Sequence, residues 1–348
     1  MRRYAMLVSP SANRVYARTA ARMMRHEFGV FRERLLEGAV EDVEEVEFGG
    51  VPYLVFGAES LSGRDLRVLA NLSSLFALFE VHGSMLEPVA VERLDRYDDD
   101  LVSILKYVGK TNEQFTKLLV NVTAAAALTA DRFLGDRPRL LDPLAGRGTT
   151  LNQAAMYGWD GYGVEIDGTD FDAYAVFLER WLKGKFIKHK VTKSRVKREG
   201  RSVGRRMLAE FAATKEAFRA GDVQTVELVG ADTTRSGEVY RKNSFDLIVT
   251  DAPYGVQHAS VNSERALSRS PRALLEAAIP EWAALLRDGG AMGLSWNTQV
   301  LPREDLASIL ENAGLAVLDS EPFLGFEHRV GQAIDRDLIV AVKPRAAR

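Results

Sequence analysis

The sequence contains no cysteine. This excludes disulfides, thiolate metal sites and a cysteine nucleophile, and it fits a reducing, cytoplasmic setting. No apolar run is long enough to cross a membrane. The first residues, MRRYAMLVSPSANRVYAR, also lack the apolar core of a signal peptide. A cytoplasmic protein without a membrane partner is expected. Histidine is scarce, and His189, His258 and His328 have no metal-ligand spacing, so no metal is expected. Net charge is also small, at −2, but it is unevenly spread. Between Lys183 and Arg206 stand eleven Lys or Arg and one acid, Glu199, a local charge of +10 that leaves −12 for the rest of the chain. Such asymmetry points to a local anionic partner.

The chain has 348 residues and an ordinary apolar content, enough for two domains with a sizeable core. Residues 1–90 predict the order β-α-β-β-α-β of a ferredoxin-like α+β unit. Its strands fall at Arg3 to Ser9, Val43 to Phe48, Val51 to Phe56 and Leu75 to Val81, and Gly49-Gly50 marks a hairpin. Residues 91–130 form a charged, then helical linker with a stripe of Phe115, Leu118, Leu119, Val122 and Ala126. From 131 to 348 strands and helices alternate, which predicts a mostly parallel, doubly wound sheet. The basic segment interrupts this alternation as an insertion over 183–222. Its second part, Val203 to Ala220, reads as a helix, because Met207, Phe211 and Phe218 share a helical face. Ser270-Pro271 reads as the cap and first turn of a helix that Gly289-Gly290 ends.

The most informative stretch is RLLDPLAGRGTTLNQAAMYGWDGYGVEID, Arg139 to Asp167. A strand ends at Asp142 and Pro143, a turn carries Gly146 and Gly148, a helix opens at Thr149, and a second strand delivers Glu165 and Asp167. Glycines let a backbone approach a ligand closely, and an acid about 20 residues past such a turn can accept from ribose hydroxyls. The spacing D-P-x-x-G-x-G-T lacks the third glycine of the dinucleotide fingerprint and places an acid where a pyrophosphate would be repelled. S-adenosylmethionine, with an ammonium, a ribose and no phosphate, suits it. On this segment alone, a structural turn or another nucleotide-type ligand stays open.

A second stretch, Leu247 to Gly255, delivers Asp251, Ala252, Pro253 and Tyr254 to the same sheet edge, where open α/β sheets bind ligands. Asp232 ends a further strand there. D-P-P-Y and N-P-P-Y at this place mark methyltransferases of exocyclic base amino groups, and Asp142 to Thr149 resembles their cofactor loop. Together with Thr111-Asn112-Glu113-Gln114-Phe115-Thr116, the chain resembles the tRNA guanosine-N2 methyltransferases often fused to THUMP domains, over about Lys110 to Pro344. It departs from them in Ala252, in the basic insertion, and in an N-terminal part too short for a ferredoxin-like linker plus a complete THUMP domain.

The resemblance implies a Rossmann-like class I methyltransferase fold and S-adenosylmethionine as cofactor. It assigns Asp142, Pro143, Gly146, Gly148 and Thr149 to the methionine side of the cofactor. Glu165, with Asp167 second, would hold the ribose, and Asp232 the adenine amino group. Asp251 and the Ala252 carbonyl would accept the two hydrogens of the target amine, with Pro253 stiffening the turn and Tyr254 stacking on a flipped base. The expected partner is RNA, most readily tRNA. Lys188, Lys190, Lys193, Arg195, Lys197, Arg198, Arg201 and Arg205 are the candidate phosphate contacts. The alternatives are a DNA adenine or cytosine amino methyltransferase, and a catalytically weak RNA-binding protein that keeps the fold.

Overall fold

The computed structural model describes residues 1–9, 14–107, 110–254 and 270–345. The first sheet is built from β1 (Arg2–Val8), α1 (Arg14–Arg34), β2 (Val40–Phe48), β3 (Val51–Ala58), α2 (Gly63–Leu69), β4 (Leu75–His82) and β5 (Met85–Val89). Its strand order is β2-β3-β1-β4-β5, every neighbour antiparallel, so its first four strands have the ferredoxin-like order. Gly49 and Gly50 both take positive φ, as the tight hairpin between β2 and β3 requires. β5 is an addition that residue pattern did not announce. The apolar face of the sheet (Tyr4, Met6, Leu54, Phe56) packs on Met23, Met24, Phe28 and Phe31 of α1.

The linker region is less helical than its composition suggests. It holds α3 (Asp100–Ser103), α4 (Glu113–Ala127) and α5 (Ala130–Gly135). Asn112 starts α4, its side chain accepting from the N–H groups of Gln114 and Phe115. The expected stripe is buried except for the half-buried Ala126, and α4 lies against α1 on one side and the second sheet on the other. One apolar core therefore runs from the first sheet through α4 to Trp159 and Leu247.

The second sheet follows with β6 (Arg139–Asp142), α6 (Thr149–Met156), β7 (Asp160–Glu165), α7 (Gly168–Gly184), β8 (Lys188–Arg198), β9 (Arg201–Ala212), α8 (Lys215–Arg219), β10 (Gln224–Gly230), α9 (Ser236–Val239), β11 (Phe245–Asp251), α10 (Pro271–Leu285), β12 (Leu286–Asn297), α11 (Arg303–Asn312), β13 (Ala316–Val317), β14 (His328–Gly331) and β15 (Ile334–Val342). The order is β13-β15-β12-β11-β6-β7-β10-β9-β8, with β14 on β15. The five strands from β12 to β10 are parallel, while β15 runs antiparallel to β12. This is the expected Rossmann-like, doubly wound arrangement, and it brings the ends of β6, β7, β10 and β11 to one edge.

Two local expectations are corrected. Val203 to Ala220 is not a helix: β9 runs to Ala212, and only the short α8 follows. Met207 and Phe211, four apart, satisfy a helical face, but Met207, Ala209 and Phe211 also alternate, and pairing with β10 selects the strand. The basic insertion is thus an antiparallel hairpin added to the sheet edge, turning at Glu199-Gly200 with φ of 50° and 78°. Gly289-Gly290 lies inside β12 rather than at the end of α10, which stops at Leu285. Ser270 caps α10 as expected, accepting from Ala273 N–H.

Candidate active site

The cofactor-type loop is shaped by its two glycines for different reasons. Gly148 has φ of 77°, and a Cβ there would meet the Tyr174 ring at 2.2 Å, so this glycine is required by packing from below. Gly146 has φ of 51°, and a Cβ there would meet nothing, so this side of the loop faces open space where a ligand can approach the backbone. Tyr107 covers the loop laterally: its hydroxyl lies 3.1 Å from Thr149 Oγ1 and its ring 4.8 Å from the Arg147 guanidinium.

The acids around the loop are fixed by hydrogen bonds. Asp142 is buried at the end of β6, just before the equally buried Pro143, and accepts from Leu144 N–H (3.1 Å) and the Thr250 hydroxyl (2.8 Å). Burial raises its pKa to about 6 despite these donors. Glu165 accepts from Gly146 N–H at 2.7 Å and Asp167 N–H at 2.6 Å, and burial raises its pKa to about 7. Asp167 caps α7, accepting from Thr169 and Asp170 N–H. Asp232 accepts from the N–H and hydroxyl of Thr234 and lines a small cavity with Val203, Ala231, Arg235, Glu238 and Val239. Each oxygen of Glu165 accepts one of its two backbone N–H bonds and keeps a further lone pair for a ligand.

The second half of the site is Asp251 at the end of β11. Both its oxygens are held: Tyr254 OH donates to Oδ1 and Thr111 OH to Oδ2. The Tyr254 ring is tucked against Arg336, 4.9 Å from its guanidinium, and burial with the Asp251 charge raises its pKa well above the usual phenol value. Ala252 is buried and its N–H donates to Ser295 O at 2.8 Å, continuing the β11–β12 register, while Pro253 is exposed. The Thr250–Asp142 hydrogen bond ties this half to the loop half across adjacent strands.

The eight basic candidates divide. Lys188, Lys190, Arg195, Lys197 and Arg201 are exposed and make no ion pair among the described residues. Lys193 reaches Glu179 at 3.8 Å, and Arg198 donates to Gly237 O. Arg205 is clamped to α7 by Asp172 (2.8 Å), Gly168 O (2.7 Å) and the Phe171 ring (4.1 Å). Because Arg205 pairs opposite Gly230, the hairpin tip projects beyond the same sheet edge that carries the acids. His258 and Gly255 lie outside the described residues; His328 is buried, with Nδ1 2.9 Å from Phe326 O, and burial lowers its pKa to about 4. No cluster of three potential metal ligands and no helix long and apolar enough to cross a membrane occurs among the described residues.

Residue pattern missed Tyr107, Thr111, Thr250 and Arg336 as members of the site. Thr111 opens the Thr111–Thr116 motif, but nothing in the motif singles out its hydroxyl. Arg336 carried no local signal, since one charge in the alternating strand IDRDLIVAV is unremarkable until the fold turns it inward.

Residues 118–290 match the family model UPF0020, the RMKL-like methyltransferase domain. The protein is an S-adenosylmethionine-dependent methyltransferase. No curated protein sequence matches it. Among solved structures, the methyltransferase is similar to a TehB-like SAM-dependent methyltransferase from Corynebacterium glutamicum, with 15% identity over 59% of this chain and 80% of that one, at a TM-score of 0.34. It is also similar to an rRNA methylase from Streptococcus thermophilus, with 11% identity over 62% and 91%, at 0.33. A third is 1,6-didemethyltoxoflavin-N1-methyltransferase from Burkholderia thailandensis bound to its substrate and S-adenosylhomocysteine, with 15% identity over 67% and 80%, at 0.37. The cofactor fits the residues present. The loop has an open side at Gly146, and the carboxylates of Asp142, Glu165, Asp167 and Asp232 along the same sheet edge suit a cationic, hydroxylated ligand without phosphate.

Proposed function

We propose that the enzyme methylates an exocyclic amino group of a base in RNA, most readily guanine N2 in tRNA. The observation that carries this reading is the placement of Asp251: a carboxylate at the end of a central strand, oriented by two hydroxyls and joined through Thr250 to the cofactor loop. When bound, the cofactor supplies an electrophilic methyl group. Gly146 and the acids Asp142, Glu165 and Asp232 hold it, with Asp167 fixing the start of α7 beside them.

A base amine is a weak nucleophile because its lone pair is delocalised into the ring. Asp251 accepts one amino hydrogen and the Ala252 carbonyl the other, which turns the lone pair toward the reacting methyl. Proline would stiffen the position of Ala252; here the hydrogen bond to Ser295 O and burial hold the same backbone. The methylated nitrogen then sheds its proton, and the Asp251 carboxylate is the nearest acceptor. Tyr254 orients that carboxylate and offers its ring edge to the base.

The basic hairpin supports a polyanionic substrate. It lies four strands from β11, about 19 Å at the usual strand spacing. Lys188, Lys190, Arg195, Lys197 and Arg201 therefore grip phosphates away from the reacting base, with Lys193, Arg198 and Arg205 anchoring the hairpin. Incubation with methyl-labelled cofactor and either bulk tRNA or duplex DNA tests this. Label in N2-methylguanosine is expected; label confined to DNA bases would identify a DNA amino methyltransferase instead.

A further inference from the structure

Arg336 is a charge with no part in the chemistry of Asp251 and the cofactor loop set out for the amine. It lies on β15, is 6% exposed, and its guanidinium sits between two rings, 4.6 Å from the Phe115 centroid and 4.9 Å from that of Tyr254. Among the described residues its side chain donates no hydrogen bond. Nε is buried without an acceptor, and the nearest carboxylate oxygen, Asp251 Oδ2, is 4.0 Å from Nη2. Arg303, which meets the next residue of β15, shows the ordinary solution: it reaches Asp337 at 2.6 Å and the Leu338 carbonyl at 3.0 Å. A guanidinium has five donors, and burying one unpaired, as Nε is here, costs more than an ordinary hydrogen bond returns. The two rings fix the plane of this fork beside Asp251, so the missing acceptor arrives with the substrate.

The order of groups narrows that acceptor. Along the Asp251 carboxylate the site presents Oδ1, which accepts from Tyr254 OH, then Oδ2, which lies 4.0 Å from Arg336 Nη2, then the guanidinium itself: two acceptors followed by a donor. The edge of guanine runs 2-amino donor, N1–H donor, O6 acceptor, and is complementary at all three positions. In that register adenine and cytosine turn a ring-nitrogen lone pair toward Oδ2. Shifted by one position, they leave one carboxylate oxygen without a donor. We infer that Arg336 selects guanine as the methylated base by donating to O6 while Asp251 accepts from N1–H and the 2-amino group. Arginine to guanine O6 is also a favourable pairing in nucleic-acid readout generally. This inference rests on the reading of the site as a base-amino methyltransferase site.

The test uses the full-length enzyme and the tRNA transcript that takes up most methyl label. The labelled guanine is replaced by 2-aminopurine, which keeps the 2-amino group and lacks both O6 and N1–H, through ligation of a synthetic fragment. For the wild type, kcat/KM is expected to fall about 100-fold on 2-aminopurine. Arg336→Met is expected to lose part of that factor, about 10-fold, on guanine, with cofactor affinity unchanged by calorimetry, and to lose nothing further on 2-aminopurine, where the O6 contact is already absent. Two losses that multiply, or full activity of Arg336→Met on guanine, would overturn the inference. Should the methionine variant fail to fold, Arg336→Lys, which keeps charge and one donor line, is expected to retain part of the discrimination. Equal wild-type rates on the two bases overturn the inference whatever the variants do. If wild-type label enters adenine or cytosine and no guanine, the assignment of the substrate falls first and the role of Arg336 with it.

Discussion

Glu165 holds two backbone N–H groups of the loop region on one carboxylate while burial works against its charge. Its proton is bound more tightly in the folded than in the unfolded chain, with a pKa raised from 4.5 to about 7. The stability it contributes is therefore complete below pH 4.5 and is lost as pH rises through 7. The difference in Tm between wild type and Glu165→Gln is expected to shift in favour of the glutamine variant between about pH 5 and 8, whereas a pH-independent difference would remove Glu165 as the titrating group. The loop glycines are separable in the same way. Gly148→Ala, strained at positive φ and aimed at Tyr174, is expected to lose about 2–4 kcal/mol of stability. Gly146→Ala meets open space and should lose cofactor affinity with a smaller stability change. Urea melts and cofactor calorimetry on both variants check this. The need for glycine at both places was legible in the sequence; that one serves packing and the other serves the ligand depends on Tyr174, distant in the chain.

At the scale of elements, the hairpin β8–β9 is the main departure from residue pattern. Eleven basic residues in 24 predicted an anionic partner but not a strand, because charge density hides the alternation of His189 and Val191 with exposed neighbours, and Met207 and Phe211 fit either period. The strand resolves the eight candidate contacts into two kinds, those tied to α7 and α9 and those with no ion pair among the described residues. Alanine at Lys190, Lys197 and Arg201 together is expected to weaken binding to bulk tRNA. It should also lower the slope of log K against log salt by about 0.7 for each phosphate no longer neutralised, with cofactor affinity unchanged. Alanine at Arg205 should instead act on stability, since it removes the clamp onto Asp172 and Phe171. An unchanged salt slope for the triple variant would assign the free cations to solvent.

At the scale of the whole molecule, the two sheets share a core and a buried polar cluster. Glu27 of α1 accepts from the N–H and hydroxyl of Ser73 and from Asn121 of α4, and Asn121 accepts from Tyr157 OH. Burial raises the pKa of Glu27. Glu27→Ala leaves these donors unpaired and is expected to cost roughly 2–4 kcal/mol, with one cooperative unfolding transition retained in calorimetry. Separate transitions would show that the first sheet folds as its own unit. The same α4 begins just after Thr111, so the helix that joins the sheets also delivers a hydroxyl to Asp251. The first four strands of the first sheet and the strand–helix alternation of the second were legible because strand patterns and glycine turns are local signals. Thr111 and Arg336 were not, because their roles exist only once residues 140 and 85 positions away reach Asp251. The most direct measurement compares wild type with Asp251→Asn for methyl transfer to bulk tRNA, with nucleosides resolved by mass spectrometry and cofactor affinity measured alongside. A loss of about 100-fold or more in N2-methylguanosine at unchanged cofactor affinity is expected. Equal methylation by the two enzymes would contradict the role of Asp251 at the centre of the site.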